Sequence, residues 1–302
     1  MNAYAPIALF VYNRLPHVKR VIQAIKKNSL SQKSIIYIFS DFSDSEFEKI
    51  KIKKIRKYLK NIKFFKKVIM IEREHNFGTS KNITHGLKQI FKKHDKCIII
   101  EDDVIISNNF LDQMNYFLEK FNKNNKIASI EGFMYPVKFD KNLPKYFAIR
   151  GSGCWGWATW KRCWKNYENS AIKLIEKFEK NKNLIHEFNY YNSYPYYKML
   201  KKQLKTDNSW SIKWAAGNFL KKKYTIYFKN SLVKNIGVDG SGVNCKLNYD
   251  LNQKKFKIEN IIINNNKVIK ENFEAKKKIA KYLKSNFSIK NKIILTLRGY
   301  FK

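Results

Sequence analysis

The chain has 302 residues, of which 44% are hydrophobic and 15% aromatic, so it can bury the core of a large globular domain. This composition excludes a disordered chain, and no apolar run reaches the roughly 18 to 20 residues of a membrane span. The formal net charge is +37. Nucleic-acid binding, attachment to an anionic membrane and the lysine-rich codon usage of an AT-rich genome would each explain it. We favour codon usage first and the membrane second, since no nucleic-acid-binding motif accompanies the charge.

The cysteines and the amino terminus bear on the cellular compartment. The 4 cysteines form no C-x-x-C pair and have no neighbouring histidine clusters, which argues against zinc and favours reduced thiols. The first residues lack the basic start of a signal peptide and lead directly into a predicted strand. We therefore expect a cytoplasmic protein. Peripheral contact with the inner face of the membrane is compatible with this expectation.

The first half of the chain alternates predicted strands and helices. Continuous apolar runs predict strands buried on both faces at residues 7–11, 35–39, 68–71 and 97–100. Helical repeats begin at Pro16, Glu46 and Gly78, and a further one contains Phe110. This alternation predicts an α/β protein with a doubly wound sheet. Ligands of such sheets bind beyond the carboxyl ends of the strands, where this chain places polar residues.

The second half is less regular. Residues 151–166 are rich in Gly and Trp, residues 168–205 and 210–222 are predicted to be helical, and short strands are predicted at 226–228 and 232–233. Residues 239–242 form a predicted loop. Beyond residue 250 the chain is dominated by Lys and Asn, and residues 293–301 predict either an amphipathic membrane-facing element or a packed C-terminal helix.

An acidic triplet, Glu101-Asp102-Asp103, directly follows the fourth predicted strand. Three adjacent carboxylates repel one another unless a cation shares their charge. Mn²⁺ or Mg²⁺ takes oxygen ligands from one or two carboxylates and completes its coordination with phosphate and water. The triplet therefore predicts a metal site for a nucleotide diphosphate, and a solvated acidic turn is the alternative.

The ordered set of motifs resembles the GT-A glycosyltransferases, in particular N-acetylglucosaminyltransferase I and bacterial sugar transferases of surface-polysaccharide synthesis. The features in common are the strand at 7–11 with Tyr12-Asn13-Arg14, residues 38–41, residues 73–82, the acidic triplet, and Asn109-Phe110. The resemblance implies a GT-A fold with a Rossmann-like doubly wound mixed sheet and a helical, basic C-terminal appendage. It also implies a nucleotide-sugar-binding half at 1–125, an acceptor and donor-sugar half at 126–250, and an extension at 251–302.

The resemblance assigns the nucleotide side of the site. Asp41 would accept a hydrogen bond from the base, although it could instead cap the helix that follows. Arg14 and Lys81 would face the phosphates, and Asp103 would bind the metal directly. The remaining predicted nucleotide-sugar contacts are Tyr12, Asn13, Asn76, Gly78, Glu101 and Asp102.

The second half should supply the sugar side and the catalytic base. Trp155 and Trp157 offer flat faces for the apolar side of a pyranose, although a packed aromatic cluster would use the same residues. Inverting transfer needs a base that takes the proton of the acceptor hydroxyl. The candidate is Asp207, which precedes a Trp-containing helix. Asp207 could instead be the N-cap of that helix. Asp239 is the alternate base or a donor contact. Related sequences often carry a His after this loop, where Asn244 stands here.

The predicted function is thus the metal-dependent, inverting transfer of a sugar to a surface glycan such as lipopolysaccharide or capsule. UDP-sugars are the preferred donors in this prediction. A nucleotidyltransferase would use a similar metal site, but it usually carries a Gly-rich loop after its first strand, and residues 12–16 contain no glycine. A basic nucleic-acid-binding or membrane-binding protein on a transferase-derived fold is a further alternative. It would explain the charge but would leave the acidic triplet without a role.

Overall fold

The structure, a computed structural model, describes residues 4–241 and 270–286. Its main sheet has the strand order β3-β2-β1-β4-β8-β6-β9-β7, and β10 pairs with β5 in a small second sheet. The strands are β1 (Ile7–Val11), β2 (Ile35–Ser40), β3 (Lys67–Glu72), β4 (Lys96–Glu101), β5 (Val104–Ile106), β6 (Ile127–Glu131), β7 (Tyr146–Arg150), β8 (Trp157–Trp160), β9 (Tyr224–Phe228) and β10 (Val233–Asn235).

Helices cover both faces of the main sheet. The helices are α1 (Leu15–Lys26), α2 (Glu46–Lys60), α3 (Gly78–Ile90), α4 (Phe110–Lys120), α5 (Lys161–Trp164), α6 (Ala171–Glu179), α7 (Lys182–Phe188), α8 (Tyr196–Thr206), α9 (Trp210–Leu220) and α10 (Phe273–Asn286). Apolar side chains of α1, α2 and α4 pack on one face, and those of α3 and α9 pack on the other. The predicted doubly wound α/β architecture is confirmed.

Strands β1 to β4 are mutually parallel, because each returns to the sheet through a helix. Strand β8 is antiparallel to both β4 and β6, so the sheet is mixed, as the GT-A resemblance implied. The sheet takes strands from both sides of residue 125, and β9 lies between β6 and β7. The continuous apolar run of β1 is buried along its whole length, as a central strand requires.

Some elements of the second half differ from the sequence prediction. The Gly- and Trp-rich stretch contains the fully buried strand β8, and β6 and β7 complete the sheet although their sequences did not predict strands. The predicted helical region 168–205 is divided into α6, α7 and α8, which pack with α9 around Phe178 and Phe219. Helix α10 packs against β7 and β9 through Ile279 and Leu283. Asn244 and residues 293–301, for which the sequence analysis made predictions, lie outside the described residues.

Candidate functional site

The carboxyl ends of the first four strands meet at one edge of the sheet. Val11 is in register with Ser40, and Ser40 is in register with Glu72 of the next strand. On the other side of β1, Phe10 is in register with Glu101. The polar residues after these strands therefore share one edge, as the sequence predicted, and this edge is the candidate site.

Arg14 joins two carboxylates of the acidic triplet. Its Nη2 donates to Oδ1 of Asp102 at 2.6 Å and to Oδ2 of Asp103 at 2.8 Å. The backbone N–H of Tyr12 donates to the second oxygen of Asp102 at 3.2 Å. Burial opposes the charge of Arg14, but both carboxylates raise its pKa, so it stays cationic. The guanidinium thus neutralises part of the triplet, and its buried Nη1 has no hydrogen-bond partner.

Glu101 is the first residue of the acidic triplet, and its carboxyl group holds a proton more tightly than usual. Burial, followed by the charges of Asp103 and Asp102, raises the pKa of Glu101 to about 8, while Arg14 lowers it. Burial also raises the pKa of Asp102, against the pull of Arg14. Three carboxylates with one guanidinium cannot all hold full charge at low cost, so Glu101 carries the proton near neutral pH. As a protonated acid it can donate a hydrogen bond.

A loop after β10 covers Asp103. The N–H of Ile236 donates to the backbone carbonyl of Asp103 at 2.8 Å, which continues the pairing of β10 with β5. Gly237 leaves room for the Asp103 carboxylate, because a Cβ there would lie 2.1 Å from Oδ2. Nε2 of His17 lies 3.1 Å from Oδ2 of Asp239, which places Asp239 of the loop beside α1. Tertiary structure therefore brings Asp239 next to the triplet.

Asp41 orders the loop between β3 and α3. Its Oδ1 accepts the N–H of Phe77 at 2.9 Å, and burial raises its pKa against the hydrogen bonds that stabilise the anion. The side chain of Asn76 accepts the N–H of Gly78 at 3.0 Å, and Gly78 has a φ of 65°, the left-handed region in which glycine is favoured. Helix α2 begins after Ser45, so Asp41 does not cap it.

Two other predicted contacts have partners within the protein. Nδ2 of Asn13 donates to Oε2 of Glu48 at 2.5 Å, which links the strand end to α2. The ammonium group of Lys81 lies 4.5 Å from the ring centre of Phe77 and is exposed. Both residues lie at the predicted edge, and the flexible lysine is free to reach a phosphate from there.

Arg73 is a buried cation at this edge to which the sequence assigned no role. Its guanidinium lies 4.6 Å from the ring centre of Phe77 and 5.4 Å from that of Phe39. Nε donates to Oδ1 of Asn82 at 2.9 Å, whereas Nη2 is buried without a partner. Its place directly after a predicted strand, within the motif 73–82, was the available signal.

The two tryptophans predicted to meet the sugar occupy different environments. Trp157 is fully buried, and its ring stacks on Trp210 with centres 5.2 Å apart. Trp164 and Trp214 also pack against it, at 6.0 and 5.9 Å. Trp155 remains partly exposed and packs edge-on against Phe133 at 4.7 Å. Only Trp155 of the pair keeps accessible surface for a ligand.

Glu131, which sequence reasoning missed, anchors the segment that carries Trp155. It ends β6 and is 1% exposed. Its Oε1 accepts the N–H of Trp155 at 3.0 Å, and its Oε2 is buried without a partner. Gly153 permits this approach, since a Cβ there would lie 2.5 Å from the carboxyl carbon. Burial raises the pKa of Glu131 well above its usual range. Within the sequence, an isolated acid in an apolar run was the only signal.

The candidate base Asp207 lies between α8 and α9. It follows the last turn of α8 with a φ of 42°, and Ser209 occupies the N-cap position of α9. Its carboxylate is largely exposed and pairs with the buried ammonium of Lys213 at 2.5 Å. Within the described residues, no hydrogen bond or ion pair links Asp207 to the acidic triplet. Because Ser209 occupies the N-cap position, Asp207 is not the N-cap of α9.

The donor groups at the edge are compatible with a divalent cation. Within residues 4–241 and 270–286, no three Asp, Glu, His or Cys side chains are arranged to enclose a metal. Asp102 uses both oxygens in hydrogen bonds, whereas Asp103 bonds Arg14 through one oxygen only. One carboxylate with a free oxygen suits Mg²⁺ or Mn²⁺, which takes most of its ligands from phosphate and water. Asp103 is the residue that fits such an ion.

Comparison with known protein families gives one match. A family model described as Glycosyl transferase family 2 matches residues 7–178, more than half of the chain. No curated protein matches the sequence. None of the helices within residues 4–241 and 270–286 combines the length and apolar character that crossing a bilayer requires.

Several solved structures are similar to parts of the chain. S. aureus TarS 1-349 in complex with UDP-GlcNAc is 15% identical, covers 47% of this chain and 39% of its own, and has a TM-score of 0.34. The mannosyltransferase PcManGT from Pyrobaculum calidifontis, in complex with GDP-Man and Mn²⁺, is 13% identical over 44% of this chain and 37% of its own, with a TM-score of 0.32. The chain thus spans about two fifths of the length of these two structures. A UDP-glucose pyrophosphorylase complexed with UDP-glucose is 12% identical over 76% of this chain and 92% of its own, with a TM-score of 0.36.

Proposed function

Because the chain belongs to glycosyl transferase family 2, we propose that it transfers a hexosyl or N-acetylhexosaminyl group from a nucleotide sugar to a surface glycan. UDP-sugars are the preferred donors, and lipopolysaccharide, capsule or a lipid-linked glycan is the acceptor class. The transfer inverts the anomeric carbon and uses Mn²⁺ or Mg²⁺ at Asp103. The enzyme works in the cytoplasm, at the inner membrane face.

The observation that carries this proposal is the bridge from Arg14 to Asp102 and Asp103. A guanidinium that follows β1 and two carboxylates that follow β4 provide both signs of charge within hydrogen-bond distance. A nucleotide diphosphate with its metal ion needs this combination, because the phosphates require cations and the metal requires carboxylate oxygen. We propose that Arg14 turns from Asp103 to the diphosphate when the donor and metal bind.

The remaining edge residues receive the base, ribose and sugar. Asp41 accepts from the base through the carboxylate oxygen that does not hold Phe77, and Asn76 with Gly78 shapes the loop beside it. Lys81 meets the phosphates. Glu101 and Asp102 contact ribose or donor sugar. Trp155 offers its accessible face to the sugar, whereas Trp157 is buried among Trp164, Trp210 and Trp214 and serves the core.

The proposed reaction is a single displacement. The bond between the anomeric carbon and the diphosphate oxygen breaks as the acceptor oxygen bonds to that carbon from the opposite side. Asp207 takes the proton of the acceptor hydroxyl, and Lys213 holds the carboxylate for this role. Asp239 is the second candidate for the base. A bound divalent cation stabilises the negative charge on the departing diphosphate.

Donor hydrolysis tests the proposal without knowledge of the acceptor. The purified chain is incubated with UDP-, GDP- and CMP-sugars in Mn²⁺, Mg²⁺ or chelator, and free nucleotide is measured. We expect metal-dependent release from a UDP-sugar and its loss in Asp103→Ala. The proposal fails if no donor is cleaved or bound and Asp103→Ala is indistinguishable from wild type in nucleotide binding.

A further inference from the structure

Helix α2 exposes two large apolar side chains. Phe47 is 67% exposed and Ile50 is 55% exposed, and their spacing of three residues places them side by side on the helix. The core is served by other residues of α2, since Ile52, Ile55 and Leu59 are buried. The helix therefore presents adjacent apolar side chains to solvent although its core face is already filled.

Cations and carboxylates both flank this apolar pair, since Lys49 pairs with Glu46 at 2.6 Å and Lys51 with Glu48 at 2.8 Å. Lys51 and Lys54 follow Phe47 by four and seven residues, so all three share one side of the helix. The ammonium group of Lys51 lies 4.0 Å from the ring centre of Phe47. Helix α2 contains seven Lys or Arg residues against two Glu, so its formal charge is +5. The helix is therefore both basic and apolar on its exposed side.

The same side continues onto α1 through Tyr58, which is eleven residues after Phe47 on the helix. Tyr58 borders an open groove of about 730 Å³, which is also lined by Lys19 and Arg20 of α1 and by Lys27, the residue after that helix. No carboxylate lines this groove. None of these three cations forms an ion pair with a residue in the part of the chain that the structure describes. A groove with unpaired cations fits anionic groups.

We propose that the docking face, formed by Phe47, Ile50, Lys51, Lys54, Lys19, Arg20 and Lys27, binds the surface of an anionic lipid bilayer. Phe47 and Ile50 enter the boundary between headgroups and acyl chains, while the lysines and the groove meet lipid phosphates. Apolar side chains flanked by lysines are the pattern of helices that lie in a membrane interface. A nucleic-acid backbone would satisfy the cations but would leave Phe47 and Ile50 without apolar contact.

Docking through this face has a consequence for the site. Helix α2 begins at Glu46, five residues after Asp41, so the face adjoins the carboxyl edge of the sheet. A docked molecule would hold that edge near the membrane surface, where a lipid-linked acceptor would be presented. This consequence rests on the proposed function, but docking itself does not.

Vesicle binding by the purified full chain tests the docking. Co-sedimentation is measured with vesicles of phosphatidylcholine alone and of phosphatidylcholine with phosphatidylglycerol, at low and at high salt. The chain supplies matched controls elsewhere: Ile50→Ser is compared with Ile172→Ser on α6, and Phe47→Ser with Phe273→Ser on α10. The control side chains are 59% and 57% exposed. Lys54→Gln is compared with Lys177→Gln, and circular dichroism verifies folding of every variant.

We expect binding to anionic vesicles only, weakened by salt. Phe47→Ser and Ile50→Ser should each lower the partition coefficient by about tenfold, and Lys54→Gln by about fivefold, with changes below about twofold in the controls. Absence of binding to phosphatidylglycerol vesicles would overturn the proposal. Equal losses in each matched pair would do the same, because they would show attraction by the whole basic surface. Retention on DNA that is independent of Phe47, without vesicle binding, would identify a nucleic-acid surface instead.

Discussion

The ammonium nitrogen of Lys213 lies 2.5 Å from Oδ1 of Asp207 and 2.9 Å from Oδ1 of Asn169. Lys213 is 1% exposed, whereas the Asp207 side chain is largely accessible. A buried cation with two fixed acceptors holds one carboxylate oxygen and leaves the other for solvent or substrate. The pair therefore orients Asp207 without covering it.

The first prediction separates the two candidate bases. Asp207→Asn should lower the rate constant for sugar transfer or donor hydrolysis by about 10² to 10⁴, because the proton acceptor is lost while the shape is kept. Lys213→Met should lower it less and should also destabilise the fold, since Asn169 and Asp207 lose a shared partner. Asp239→Asn should mainly weaken donor binding. A normal rate in Asp207→Asn together with a large loss in Asp239→Asn would assign the base to Asp239.

The second prediction concerns the pH dependence of stability through Glu101. Its pKa is about 8 in the folded protein and ordinarily 4.5, so between these values the folded state binds a proton that the unfolded state releases. The free energy of unfolding should therefore fall as the pH rises above about 4.5 and level off above about 8, by at most about 1.4 kcal/mol per pH unit. Denaturant unfolding of wild type and Glu101→Gln, without divalent cations, measures this difference. Parallel profiles for the two proteins would contradict it.

The third prediction uses two glycines with different surroundings. Gly237→Ala places a methyl group against the Asp103 carboxylate, where the Cβ would be 2.1 Å from Oδ2. We expect a stability loss of about 1 to 3 kcal/mol and weaker binding of UDP with Mn²⁺, because Asp103 must move. Gly217→Ala, within α9, meets nothing closer than 3.9 Å and should stabilise by about 0.5 to 1 kcal/mol. Calorimetry and thermal unfolding test both, and unchanged binding in Gly237→Ala would remove Asp103 from the metal site.

The fourth prediction concerns Glu131 and the Trp155 segment. Glu131→Ala removes the acceptor for the Trp155 N–H and should weaken UDP-sugar binding about tenfold more than UDP binding, because only the sugar side is displaced. Glu131→Gln keeps a carbonyl acceptor and should stay near wild type. Dissociation constants for both ligands, by calorimetry, decide the matter. Equal losses for UDP and the UDP-sugar would mean that Glu131 serves the fold alone.

The first half of the protein was predictable because its signals are local. A strand buried on both faces must be apolar along its length, and a crossover helix must repeat every three to four residues, so β1 to β4 and their helices are visible in the sequence. The second half was harder. Trp157 to Trp160 is a central strand, but its sequence would also suit a surface on which a sugar ring stacks. Only the position of this strand between β4 and β6 distinguishes a core strand from a sugar-binding surface.

Residue types and order along the chain were enough to identify the family, the α/β class and an acidic strand end suited to a metal ion, because these follow from periodicity and strand-end chemistry. Folding decided which groups meet. Arg14 reaches Asp103, Gly237 approaches the same carboxylate and Glu131 holds Trp155 across separations of 24 to 134 residues. Such contacts depend on the three-dimensional approach of distant segments, and the same approach determines which carboxyl keeps its proton.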